Sequence, residues 1–375
     1  MAGLATMAAK QPTQQQNKGG GAVVPFVRAA HQHFEPMFDQ TRTIGASSQN
    51  VGQFDVPAYG FLRHVWVHLS ASGGSLGGAT PVADFPFNVL DEIVLLDVNG
   101  APIVGPFTSF QLYLANTFGG YAWSPRPEDA PDFNDGSTDF GFDFALRLPV
   151  EITFKNALGS LANQNAAASF KVRLTLANSS EIATGGSPTL PDVRIQAYVE
   201  CWSQPSPTDV HGNQQATEPP AHGTTQFWTV YEKGVSNGAQ TVILPRVGNL
   251  IRNLIFVNRD DSGDRQTGLW PDPVNVNWDA RQMIAGEPAF YRRAVMQEEY
   301  GIPIIDGVFV YDFTHDDDGH PGNEDRNLWL PTVQATRLEV QGSFGTNATN
   351  LEIITNDVAP VGAPVTPVGG PVGGR

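Results

Sequence analysis

Residues 53–69, QFDVPAYGFLRHVWVHL, read as a short strand, a corner and a longer apolar strand. Pro57 and Gly60 mark the corner, where backbone geometry matters more than side-chain chemistry. A related stretch returns at residues 241–257, TVILPRVGNLIRNLIFV. There Pro245 answers Pro57 and Gly248 answers Gly60. Ile251-Arg252 answers Leu62-Arg63 after a one-residue slip. The chain reads as one structural unit used twice.

Working outward, period-2 patterning recurs through the first half. Phe140, Phe142, Phe144, Leu146 and Leu148 alternate with Gly141, Asp143, Ala145 and Arg147. Phe170 to Leu176 and Val193 to Val199 alternate in the same way. Strands with one apolar and one largely polar face pack into sandwiches. Residues 92–98 and 101–104 around Asn99-Gly100 read as a hairpin. In the second half, strands are expected at 226–231, 241–244, 250–258, 274–278, 307–313, 336–340 and 350–355.

Each half also carries one helix. Residues 106–118 place Phe107, Phe110, Leu114 and Phe118 on one side, with Gly119 as a left-handed cap. The counterpart starts at Pro288, carries Phe290, Ala294 and Val295 on its apolar side, and closes at Gly301. Both proline-to-glycine intervals are 13 residues.

The 375 residues suffice for two domains, and 41% are hydrophobic, enough for sizeable cores. Only 16% are charged, while Gly (39) and Pro (29) are abundant, as in chains of short strands joined by turns. A net charge of −16 argues against nucleic-acid binding, because an acidic surface repels phosphate. The single cysteine, Cys201, permits no intramolecular disulfide and reads as a buried thiol. No apolar run approaches the roughly 20 residues of a membrane span. The N-terminal stretch lacks the features of a secretory signal, so synthesis in the cytoplasm without export is expected. Residues 1–22 read as a flexible arm. Lys10, Lys18 and Arg28 are the charged residues before Glu35, which suits contact with a neighbour or an anionic membrane surface.

No constellation of catalytic or metal-binding residues stands out. His31 and His33 offer two imidazoles without a third ligand. Asp316-Asp317-Asp318-Gly319-His320 lacks the ligand spacing of a calcium loop and reads as a solvated acidic turn. Glu128, Asp129, Asp132, Asp135 and Asp139 lie in a Pro/Gly-rich loop with nothing to fix their separation. Glu298 and Glu299 close the second helix and read as exposed. Asn178 and Asn347 match the glycosylation pattern by chance. The P-loop, the GxSxG elbow and the HExxH motif do not occur. Seven tryptophans and 22 phenylalanines fit large cores and interfaces. Such a chain builds or binds; no catalytic residue, metal or cofactor is expected.

The repeat, the paired helices and residues 307–330 (GVFVYDFTHDDDGHPGNEDRNLWL) resemble the double jelly-roll major capsid proteins of tectivirus-like, membrane-containing bacterial viruses, related to adenovirus hexon. The resemblance implies an all-β fold of two tandem eight-stranded jelly rolls, each with one short helix. Its boundaries would be an N-terminal arm and lead-in at 1–45, a first roll at 46–205, a linker at 206–225, a second roll at 226–358 and a flexible C-terminal tail at 359–375. It implies a homotrimer whose six rolls make a pseudo-hexagonal capsomer of an icosahedral shell, located in the virion. Expected partners are other copies, minor capsid or penton proteins, and an internal viral membrane reached by the arm; no nucleic acid is expected. The long acidic loops 119–139 and 259–273 suit an outer surface. Two other classes fit the same sequence: a two-jelly-roll glycan hydrolase or amidase using loop carboxylates, and a trimeric carbohydrate-binding or spike protein.

Overall fold

The computed structural model describes residues 22–121, 140–221, 223–301, 305–314 and 329–359. The arm before residue 22, both acidic stretches (128–139 and 316–320) and the tail after 359 lie outside them.

Sixteen longer strands form two sets of eight, with four two-residue strands beside them. The first set is β1 (Gln32–Thr43), β2 (Gln49–Asp55), β3 (Phe61–Ala71), β4 (Leu90–Leu96), β5 (Pro102–Phe107), β6 (Phe142–Pro149), β7 (Lys171–Leu176) and β8 (Asp192–Trp202). The second is β9 (Thr225–Gly234), β10 (Gly238–Ile243), β11 (Leu250–Arg259), β12 (Val274–Trp278), β13 (Arg281–Glu287), β14 (Val308–Asp312), β15 (Leu338–Phe344) and β16 (Asn350–Ala359). Both sets pair in the same order. One sheet runs β1-β8-β3-β6 and its counterpart β9-β16-β11-β14; the other runs β2-β7-β4-β5 and its counterpart β10-β15-β12-β13. Every one of these pairings is antiparallel.

The repeat seen in the sequence holds at the level of single hydrogen bonds. Leu62 faces Cys201 and His64 faces Glu200, so Arg63 is the extra residue of a bulge. Ile251 faces Asp357 and Asn253 faces Asn356, so Arg252 is the extra residue in the second unit. Both arginines are buried. The Arg63 carbonyl accepts from the Glu151 N–H at 2.8 Å, and the Arg252 carbonyl from the Phe313 N–H at 2.8 Å. A bulge re-aims a side chain and bends its strand; here it turns a charged side chain into the protein at the same place twice.

The corners are held differently. Gly60 has φ +45°. Its carbonyl accepts from the Asn163 N–H at 2.9 Å, and the Asn163 side chain donates to the Pro57 carbonyl at 2.7 Å. In the second unit Arg246 clamps Asp357 through two bonds of 2.8 and 2.7 Å.

The inward residues of the alternating strands are buried, including Phe142, Phe144 and Leu146 of β6 and Val193, Ile195 and Ala197 of β8. Each such side chain contributes roughly 1.5–3 kcal/mol. The expected hairpin joins β4 and β5, with Gly100 at φ +84° and Asn99 Oδ1 accepting from the Ala101 N–H.

Several expectations change. Residues 32–43, placed in the lead-in, form β1, and β13 was not anticipated. The helix α1 (Phe26–Ala29) precedes β1, and α3 (Ser179–Ile182) gives the first unit a second helix. The first long helix, α2 (Ser109–Phe118), starts later than Pro106, which belongs to β5. Thr108 and Gln111 form its capping box, each side chain accepting from the other's backbone N–H, so no proline is needed there. Gly119 has φ −84° and is not the left-handed residue; Gly120, at φ +77°, is. In α4 (Ala289–Tyr300) the Gly301 cap is left-handed as expected. Its faces are reversed, however. Ala289 and Met296 are buried, while Phe290 and Ala294 are exposed. The reason lies in the neighbours: Met296 sits against β14, where its sulfur accepts from the Val310 N–H at 3.3 Å.

A Cβ on residue 60 would collide with the Trp202 carbonyl oxygen, whereas one on residue 248 meets nothing within 4 Å. Gly60→Ala is therefore expected to lower the urea midpoint far more than Gly248→Ala, whose loss should stay within the roughly 1–3 kcal/mol of backbone strain alone. Equal losses would remove the steric role assigned to the first corner.

Candidate functional site: the seam between the two units

The two units meet edge to edge. Trp228 of β9 pairs in parallel with Val104 of β5, joining one sheet of the second unit to one sheet of the first. Trp228 is completely buried. Its ring lies so close to Gly119 that a Cβ there would stand 2.7 Å from it. A Cβ there would also meet the Ala115 carbonyl oxygen of α2, so Gly119 is required both by the end of its own helix and by the approach of the second unit.

The outer face of the sheet β9-β16-β11-β14 closes over this edge. Ile255, Val257, Val308, Val310 and Ile354 pack into the core of the first unit. As a result α2 is buried almost all round, which explains its run of apolar residues, SFQLYLANTF. The Asn253 side chain donates to the Phe118 carbonyl at 3.3 Å, and Phe118 meets Tyr300 of α4 edge-on at 4.9 Å.

Two buried polar clusters cross the seam. In the first, Gln226 Nε2 donates to the Tyr121 hydroxyl at 2.7 Å and to the Val150 and Glu151 carbonyls at 3.1 Å. Its Oε1 accepts from Asn356 at 3.0 Å and from Arg252 at 3.2 Å, and Arg252 also donates to Asn356 Oδ1 at 2.6 Å. In the second, Arg265 and Arg259 converge on Asp84 of the first unit at 2.5 and 2.8 Å. Arg259 also pairs with Glu352, which accepts from Gln111 of α2 at 2.9 Å. Burial works against the Arg259 charge, but Glu352 and Asp84 outweigh it and hold its pKa above the ordinary value.

A third cluster lies within the first unit beside the seam. Arg63 donates to Glu151 at 2.5 Å and pairs with Glu200, while Trp202 Nε1 donates to Glu151 at 3.1 Å. Burial raises the Glu151 carboxyl to about 7 against the pull of Arg63. Burial, reinforced by Arg147 and Arg63, keeps His64 neutral by pushing its pKa well below the ordinary value.

Most residues singled out in the sequence lie elsewhere. The His33 ring stacks on Tyr59 at 4.1 Å and its Nε2 is 3.6 Å from Glu35. Among the described residues, no three or more His, Cys, Asp or Glu side chains gather as a metal site. Cys201 is buried, and burial pushes its thiol up to about 12. Glu298 and Glu299 are exposed. Asn178 caps α3, and Asn347 supplies a turn residue at φ +72°. The loop 259–273, expected on the outer surface, is exposed only in part: Arg265, Leu269 and Trp270 are buried. Its charge reads as surface in the sequence, but two of its arginines reach carboxylates across the seam. The seam residues Asp84, Gln226, Arg252 and Glu352 carry no local signal, because their partners stand far away in the chain.

No protein-family model matches the chain, and no curated protein matches it. Solved structures do. The STIV MCP superposes with a TM-score of 0.60 at 14% identity, covering 88% of this chain and 98% of its own. PBCV-1 VP54, in a crystal structure fitted into a cryo-EM reconstruction of the virophage Sputnik, gives 0.56 at 11% identity, covering 88% and 94%. The major capsid protein P2 from bacteriophage PM2 gives 0.53 at 11% identity, covering 88% and 99%. The chain is a double jelly roll. Each roll has eight long strands with its main helix between the fifth and sixth. The seam joins strand five of the first roll to strand one of the second.

Two measurements probe the seam. Asp84→Ala leaves Arg259 and Arg265 buried against a missing partner. It is expected to destabilise the fold by about 3–5 kcal/mol in urea titration; a change near zero would mean that the pair is not holding the rolls. Glu151 tests the third cluster. Its folded pKa of about 7 lies above its ordinary value of 4.5, so its stabilising effect is complete below 4.5 and is lost as pH rises through 7. The urea midpoint should fall over that window, and Glu151→Gln should flatten the slope whatever it does to the absolute midpoint.

Proposed function

We propose that this double jelly roll is the non-enzymatic major capsid protein of an icosahedral virus. The observation that carries this reading is the seam. Two rolls of identical strand order are welded side by side through one continuous sheet, which makes a building block of two nearly equivalent units. The P2 neighbour with the same fold is a major capsid protein. Three such chains supply six rolls for a pseudo-hexagonal capsomer, and capsomers tile a closed shell in the virion. The domain limits belong to this proposal: a first roll at 46–205, extended back to include β1, and a second at 226–358. Residues 206–225 tie the lead-in to the rolls, since the Val24 N–H donates to the Gln214 carbonyl at 2.9 Å. The residues before 22, with Lys10 and Lys18, are proposed to reach a neighbour or an internal membrane, and minor capsid proteins to fill the vertices.

Native mass spectrometry of the purified chain should give three times the mass of 40.4 kDa, and negative-stain images should show a six-sided outline. A monomer at every concentration and in every buffer that supports folding would overturn the proposal.

A further inference from the structure

The two rolls correspond strand for strand, and the comparison shows one sheet edge used and its counterpart left open among the described residues. Strand five of the first roll, β5, has β9 on its outer edge. Strand five of the second roll, β13, pairs only with β12, so its outer edge is free among the described residues. Strand one of the second roll, β9, is covered by β5. Strand one of the first roll, β1, pairs only with β8 among the described residues.

The side chains follow the same division. Alignment on the two bulged arginines places Phe34 where Trp228 stands, since Phe34 faces Glu200 and Trp228 faces Asn356. It places Tyr198, Trp66 and Arg147 where Ile354, Ile255 and Val310 stand. The second-roll residues are buried against the first roll. Of their first-roll counterparts, Phe34 is 58% exposed and Tyr198 40%, Trp66 is half-buried, and Arg147 on β6 is already buried by the first roll itself. On the other side, α2 is buried by the second roll, while α4 presents Phe290 at 73% and Tyr291 at 54%. Large aromatics in a row at an open sheet edge are what an interface offers before it forms.

We infer that the β13–α4 edge of one copy receives the β1-β8-β3 face of a second copy, repeating between chains the joint that Trp228 and Val104 make within the chain. The contact is heterologous, so it propagates in one direction and closes only as a ring. The inference rests on the proposed trimer for the number of copies in that ring, but the pairing itself is specified by residues. Val104 corresponds to Ile284: Phe54 and Val242 stand three residues before the equivalent Pro57 and Pro245, Phe54 faces Val172 and Val242 faces Val340, Val172 and Val340 face Leu95 and Val276, and these face Val104 and Ile284. Phe34 of one copy therefore lies against Ile284 of the next. Phe290 and Tyr291 are covered by the face that carries Tyr198 and Trp66.

Cysteines test the register. Neighbouring strands place paired residues within the roughly 4.4–6.8 Å Cα separation that a disulfide needs. A mixture of the Phe34→Cys and Ile284→Cys chains should form a covalent dimer under mild oxidation, and neither single variant should link to itself. The double variant should give covalent trimers on a non-reducing gel. Cys201 is buried and stays out of the reaction. Phe290→Asp, on an exposed position, should leave the melting temperature of the monomer unchanged and weaken association about tenfold or more, the scale for a lost aromatic anchor. A wild-type oligomer that forms without the cross-link would overturn this seam and leave the trimer standing. Self-linking of either single variant, or a disulfide within one chain, would also overturn it. A wild-type monomer would remove the trimer instead.

Discussion

Trp228 pressed against Val104 is the contact on which the rest depends. A single parallel pairing makes one sheet out of strands from both rolls, and everything near it is shaped to permit the approach. A Cβ on Gly119 would crowd the indole at 2.7 Å as well as the Ala115 carbonyl of its own helix. Helix α2 is buried almost all round, its polar Ser109, Gln111 and Asn116 included, because the second roll closes over it. The same sequence at the surface of a lone roll would expose a patch that invites aggregation.

The polar clusters around this joint determine how the rolls sit. Apolar surfaces alone bind without direction, and a slide of one sheet over another changes buried area little. A buried guanidinium is different. Arg265 and Arg259 both aim at Asp84, so any shift of the rolls strands charge away from water, which is expensive. Gln226 has the same effect through neutral bonds: it spends both ends of its amide on groups of both rolls. The joint is therefore fixed in register as well as held together.

How much of this was legible in the sequence depended on whether the cause was local. The corners were readable because Pro57, Gly60, Pro245 and Gly248 answer to backbone geometry. The central strands were readable because burial on one face imposes alternation. The two strands that escaped, β1 and β13, are both edge strands. β1 contains Pro36 and several charged or amide side chains (QHFEPMFDQTRT), and β13 (RQMIAGE) buries only Glu287 fully. Edge strands bury less and so carry a weaker pattern. Helix α4 misled for a related reason: Phe290 looks like a core residue because it is apolar, but the packed face is set by β14, which holds Met296. The seam was not legible at all. Asp84 and Arg265 are partners across 181 residues, and nothing near either one announces the other.

The two rolls also differ where they should be alike, and the difference has a physical reason. The covered face within the chain is aliphatic, with Ile255, Val310 and Ile354. Its counterpart on the first roll carries Trp66, Arg147 and Tyr198, with the Arg147 guanidinium 4.1 Å over the Trp66 ring. The Asp39–Arg194 ion pair lies on the same surface. An intrachain face is buried as the chain folds and never meets water again, so aliphatic packing serves it best. The first-roll face keeps contact with water, so it must be soluble. Tyr198 meets that demand, since it joins a large apolar body to a hydroxyl that water can satisfy, whereas Trp66 Nε1 already donates to Glu200 and Arg147 is buried beneath Phe154 of its own roll. One architectural position thus carries two chemistries, divided according to whether the other roll of the chain covers it.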